Sequence, residues 1–225
     1  MTSVRIPDTL PSLEKAFAQK VVAGLSTVTD RLYQIRAEGL EHIDLTKPAV
    51  FAFKHRGWID FFAATAFFRS LNKPVMIPVM EKMFKNRAVG SMLTAYGAVP
   101  IKRQQDEGYQ VNAAEVLAQG RMFVEFIKHG GWYAYAPEGT GVYDAVGDSL
   151  HIRPLMIGSK YGQAFIVGTV CQQPHWLPGQ ITLRIAPYSA NGKDEAEVKA
   201  ETRSLMENLS GLEQKVKKHS STRNH

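Results

Sequence analysis

Seven short apolar runs alternate with longer stretches whose apolar residues recur every three or four positions, and this alternation constrains the fold more than any other feature. The runs, read as strands, are residues 34–39, 49–53, 75–79, 98–101, 132–136, 166–170 and 181–185. Helical spacing is expected over 12–32, 58–71, 82–95, 111–129 and 195–212. Gly130 and Gly131 supply the usual C-terminal punctuation of the fourth helix, and Pro48 and Pro137 mark loops. Strands that alternate with helices predict an α/β fold. The expectation is a single domain with a mixed, largely parallel central sheet flanked by helices, in which the later strands can pair antiparallel. An N-terminal amphipathic helix precedes it. The boundaries follow: residues 1–33 form the helical segment, 34–213 the domain, and 214–225 a basic tail that reads as disordered.

A chain of 225 residues suits one domain of generous size. Its formal charge of +6 and pI near 9.4 favour an anionic partner, whether membrane lipid, nucleic acid or a phosphorylated small molecule. Zinc-finger spacing, an RNP-like aromatic motif and dense Lys/Arg runs are all missing, so nucleic acid is not an expected partner. The single cysteine, Cys171, cannot form an intrachain disulfide and suits a reducing compartment. Its setting, FIVGTVC, reads as a thiol buried in a strand. The N-terminus has no signal-peptide h-region, and no apolar run approaches the roughly 20 residues of a membrane-spanning helix. A protein of this kind meets a membrane by lying on it. The expectation is peripheral attachment to the anionic cytoplasmic (inner) face through residues 12–32, apolar loops within 58–68, and the tail.

Three constellations can carry chemistry. In His55-Arg-Gly-Trp-Ile-Asp60 the two titratable residues are five apart. Within one regular helix they would point about 140° from each other, at roughly 100° per residue. They meet only if His55 lies in the loop after the strand and Asp60 in the first helical turn, with Gly57 allowing the bend. The carboxylate then fixes the tautomer and leaves Nε2 free to take a hydroxyl proton. Taken alone, the spacing reads as readily as a helix-capping histidine and a solvated aspartate. The second constellation is Tyr135-Ala-Pro-Glu-Gly-Thr140, a turn able to present N–H groups to an anion or simply an ordinary turn. The third is Gly97-Ala-Val-Pro-Ile-Lys-Arg103, where Arg103 can hold a phosphate bidentately and Lys102 acts as a point charge, unless both are merely solvated.

Taken in order, His-x4-Asp, Gly-x-x-Pro-Ile-x-Arg and Pro-Glu-Gly-Thr resemble the glycerolipid acyltransferase family, of the lysophosphatidate (1-acylglycerol-3-phosphate) type, over about residues 36–190. The resemblance extends into 160–170, where the family has an apolar strand after a small-residue helix. It implies transfer of a fatty acyl group from an acyl-CoA or acyl-carrier-protein thioester to a hydroxyl of a lysophospholipid or related lipid acceptor. It also implies His55 as general base and Asp60 as its orienter, with neither an acyl-enzyme nor a metal and with no cofactor beyond the donor itself. Lys102 and Arg103 would bind the acceptor's phosphate, and Glu138, Gly139 and Thr140 would form the facing wall. An N–H near Gly57 or Gly139 is the expected oxyanion donor.

Two positions depart from the family pattern. Gly141 stands where an arginine usually helps bind phosphate, a contact worth about 1.5–3 kcal/mol. Its absence opens the alternative of a less anionic, non-phosphorylated acceptor, unless Lys54, Arg56 or Arg153 compensates. Gly168 stands where the family often has proline, with an expected effect on the acyl pocket's shape. His129-Gly-Gly131 looks like a lipase oxyanion loop, but no Gly-x-Ser-x-Gly elbow accompanies it, and helix termination accounts for it. A non-catalytic lipid-binding protein is the other competing reading, although it needs no intact His/Asp pair.

Overall fold

The computed structural model describes residues 33–55, 57–102, 113–139, 145–147, 149–171 and 179–212. Among these residues seven strands form one sheet: β1 (Tyr33–Glu38), β2 (Ala49–Phe53), β3 (Val75–Met80), β4 (Ala98–Ile101), β5 (Trp132–Tyr135), β6 (Gln163–Cys171) and β7 (Gly179–Tyr188), in the order β1-β7-β6-β2-β5-β3-β4. Every neighbouring pair is parallel except β6 and β7, whose antiparallel pairing turns β7 and its partner β1 against the other five. The expected mixed, largely parallel sheet is therefore the one observed.

Five α-helices lie among the described residues: α1 (Trp58–Ser70), α2 (Arg87–Ala95), α3 (Ala113–Lys128), α4 (Arg153–Tyr161) and α5 (Glu195–Leu209). The periodicity over 82–95 suggests one helix, but the chain forms a 3-10 turn (Glu81–Phe84) and then α2. Asn86 causes the break, because its side chain accepts the Ala88 and Val89 N–H groups and starts a new helix. Gly130 and Gly131 close α3 through N–H bonds to Ile127 and Phe126, a Schellman ending, so the His-Gly-Gly run is a helix terminus. The expected N-terminal helix over 12–32 and the basic tail over 214–225 lie outside the described residues.

The central strands carry apolar residues on both faces because helices cover both sides. All five residues of β2 are buried. Ala49, Phe51 and Phe53 face one core with Phe67, Phe68 and Trp132, while Val50 and Ala52 face the other with Leu155, Ile166 and Met206. Phe51 stacks on Phe165 at 5.0 Å and meets Phe68 edge-on at 5.1 Å, which makes a stiff floor beneath the end of β2. The apolar segment expected to offer membrane loops is instead this packed helix, with Ala63, Ala64, Phe67 and Phe68 buried. Gly168 serves close packing: a Cβ there would collide with the Leu209 backbone at the end of α5, so the substitution for proline admits a helix. Cys171 ends β6 half-buried rather than enclosed.

Candidate active site

The parallel strands share a carboxyl edge, where open α/β sheets place their sites. Strand β2 delivers Lys54 and His55 there, β5 delivers residues 136–139, and β4 delivers Lys102. Period-two alternation continues past the end of β2, and the Lys54 N–H still bonds Val167 O at 3.0 Å. Lys54 therefore falls on the Val50/Ala52 side and His55 on the α1 side, where Asp60 waits in the first turn.

Asp60 is 3% exposed. Its Oδ2 accepts the Gly57 N–H at 2.9 Å and lies 3.8 Å from His55 Nδ1. The expected loop-plus-first-turn arrangement is present. The reason assigned to Gly57 is not: its backbone is extended (φ 168°), and a Cβ would meet nothing within 4 Å. The His55–Asp60 distance is longer than a hydrogen bond, as is common in ligand-free sites. Burial pushes the His55 imidazole below its ordinary range; the Asp60 and Glu138 carboxylates oppose that, and the Lys54 ammonium reinforces it. The ring is therefore neutral near pH 7, the state a general base requires.

Residues Ala136 to Gly139 form a β-turn with Pro137 at its second position, closed by the Gly139 N–H donating to Ala136 O at 3.1 Å. Gly139 sits at φ 67°, in the region that favours glycine. The turn directs Glu138 inward. Its side chain is fully enclosed, and it accepts Lys54 Nζ on both oxygens at 2.8 Å, the His55 N–H at 3.2 Å and the Gly147 N–H at 2.8 Å. Glu138 thus ties the two motifs together, where the resemblance implied a wall facing the acceptor. Lys54, proposed to replace the missing phosphate cation, is itself fully buried in this pair. The two expected oxyanion donors are also engaged, Gly57 N–H by Asp60 and Gly139 N–H by Ala136.

Lys102 follows β4 and pairs with Glu115 of α3 at 3.2 Å. Strand β4 lies three strands from β2, about 14 Å at ordinary spacing, a gap that side chains reaching from both ends can narrow. Arg103, Thr140, Gly141 and Arg56 lie outside the described residues. Arg153 opens α4. A cleft of about 380 Å³, lined in part by Ile35, Ala37, Leu40 and Phe67, opens between β1 and the far end of α1, away from His55. No spacing in the sequence links Lys54 with Glu138; the one local signal is a lysine directly following the five apolar residues Ala49–Phe53.

The sequence model of the family described as Acyltransferase matches residues 34–168. No curated protein matches the chain in sequence. In three dimensions it is similar to the 1-acyl-sn-glycerophosphate (LPA) acyltransferase PlsC from Thermotoga maritima, at a TM-score of 0.60 and 19% identity. The alignment covers 92% of this chain and 83% of that one, so the two share a fold. With its His-x4-Asp pair at the carboxyl edge of the sheet and the family match spanning more than half its length, this chain belongs to the Acyltransferase family.

Proposed function

We propose that the protein moves a fatty acyl group from an acyl-CoA or acyl-carrier-protein thioester to a hydroxyl of a lysophospholipid or related lipid acceptor, with His55 as general base. The observation that carries this reading is an imidazole about one-third exposed, with Nδ1 3.8 Å from the buried Asp60 carboxylate. Asp60 favours the Nδ1–H tautomer, and Nε2 keeps its lone pair. As the acceptor oxygen attacks the thioester carbonyl, its proton passes to Nε2. The tetrahedral intermediate collapses, the C–S bond breaks, and the leaving thiolate takes that proton back. The ester and free thiol are the products, and His55 ends neutral. Helix α1 starts three residues after His55, so its positive end supports the negative charge that develops at the carbonyl oxygen.

A second reading, a non-phosphorylated acceptor, draws on two observations. Lys54 is committed to Glu138, and Lys102 is paired with Glu115. Gly141 adds to it. Under the first reading Arg103 with Lys102 holds phosphate, and Gly139 and Thr140 border the acceptor.

Attachment is peripheral, on an anionic cytoplasmic membrane face. Among the described residues no helix is long and apolar enough to cross a bilayer. Val116 and Leu117, next to Glu115 in the first turns of α3, stand exposed beside the Lys102–Glu115 pair, and Met122 is exposed about two turns further along the helix. Product mass spectrometry across a panel of donors and acceptors tests the whole reading. Thioester consumption by the wild type and its loss in His55→Ala are expected. If the wild type releases no thiol with any hydroxylated lipid, the reading fails. Flotation with anionic vesicles at low salt tests attachment, and protein left at the bottom of the gradient refutes it.

A further inference from the structure

Residues 54 and 55 are one peptide bond apart, yet their side chains have opposite surroundings. Lys54 and Glu138 are both fully enclosed and their side chains meet at 2.8 Å, an arrangement in which desolvation must be offset by complete hydrogen bonding. That bonding is directed at His55. Glu138 Oε2 accepts the His55 N–H at 3.2 Å, and Lys54 Nζ donates to the His55 carbonyl at 3.3 Å. Both peptide groups flanking the histidine are thereby held by one ion pair. The grip extends further, since Glu138 Oε1 accepts the Gly147 N–H at 2.8 Å and Arg203 of α5 donates to Gly147 O at 3.2 Å.

We propose that Lys54 and Glu138 are positioning residues for His55, a buried pair that clamps the backbone on both sides of the base and balances the charge around its ring. The proposal rests on the reading of His55 as the base. It assigns Glu138 to the interior of the site and leaves recognition of the acceptor to other groups. Three described charged groups act on the imidazole: Asp60 from α1, Glu138 from the turn after β5, and Lys54 from the end of β2. The two members of the pair act on it in opposite senses, the carboxylate favouring its protonated form and the ammonium disfavouring it. Their removal must therefore have opposite signatures, which damage to packing alone does not produce.

The test uses the full chain with labelled histidine, and the His55 signal is assigned by its loss in His55→Ala. Imidazole titration by NMR and turnover across pH are measured for the wild type, Lys54→Met, Glu138→Gln and the double variant. In Lys54→Met the His55 titration and the acid limb of turnover move to higher pH. In Glu138→Gln both move to lower pH. In the double variant the titration lies between the two, while kcat stays depressed by up to roughly a hundredfold because the clamp is gone. KM for acceptor changes little throughout. The double variant leaves no unpaired buried charge, so it carries the test if a single variant does not fold. Titrations that move together or not at all, an unchanged kcat in the double variant, or a raised acceptor KM with kcat intact in Glu138→Gln overturn the proposal. If the wild type transfers no acyl group, the functional reading fails, while the NMR titrations still decide whether the pair governs His55.

Discussion

Two pairs of titratable side chains meet at the end of β2, and they are built in opposite ways. Lys54 and Glu138 are sealed, short and saturated with donors, whereas His55 is about one-third exposed and stands 3.8 Å from Asp60. A sealed pair resists change because breaking it leaves an uncompensated charge in a low-dielectric interior. A loose, half-open pair can shift by a few tenths of an ångström when substrate arrives and can exchange protons with what binds beside it. The site divides its labour: one pair holds the backbone still, and its neighbour is left free to react.

Single substitutions separate those two tasks. His55→Ala is expected to lower kcat/KM by about 10²–10⁴-fold with little effect on unfolding, since the ring is partly exposed. Glu138→Ala is expected to cost about 3–5 kcal/mol of folding stability, read by urea denaturation, because it strands Lys54. Equal losses of stability in the two variants would erase the distinction. Asp60→Asn keeps a side chain that can accept the Gly57 N–H but loses the charge beside His55. Turnover should fall by about ten- to a hundredfold, the worth of a charge-assisted contact, and the acid limb should move to lower pH. An acid limb left in place in that variant would mean that the Asp60 charge does not act on the ring.

The smallest effect is on stability against pH. The folded-state imidazole is depressed relative to its ordinary value of about 6.5. The neutral form's contribution is therefore fully present above that value, and it is lost as pH falls through the folded-state value. Urea midpoints of the wild type should decline in that window, and His55→Gln should flatten the decline. The acid limb of wild-type turnover should likewise lie below about 6.5.

Much of this arrangement was legible in local pattern. Strand 49–53 falls where its apolar run predicts, because a fully buried strand has little choice of register, and strand 98–101 falls where predicted although only Ala98 in it is buried. Helix α4 left no comparable periodic signal: it has nine residues, Pro154 near its start and Gly158 packed against Val50. Its burial comes from a close approach to β2 that small residues permit. In the site, His55 and Asp60 could be read together because only four residues separate them and a strand end lies before them. Lys54 and Glu138 are 84 residues apart, and no spacing rule links them. A lysine after a strand is usually solvated, and only the turn at Ala136–Gly139 reveals why this one is not.

Strand β1 has a consequence for how the protein is made. Among the described residues its only strand neighbour is β7, and their edges are joined by Glu38 and Arg184, 146 residues apart. At ordinary rates of about 5–20 residues per second, a ribosome needs roughly 7–30 s to produce the partner after β1 has emerged. Throughout that interval the first strand is an unpaired edge, and β2 to β6 can assemble without it. Vectorial synthesis thus leaves the sheet's first-made strand to be its last-docked, and pulse-labelled amides of Ile35 and Ala37 should gain protection only after those of β2 and β5. Early protection of β1 on a stalled chain ending before residue 179 would contradict that order.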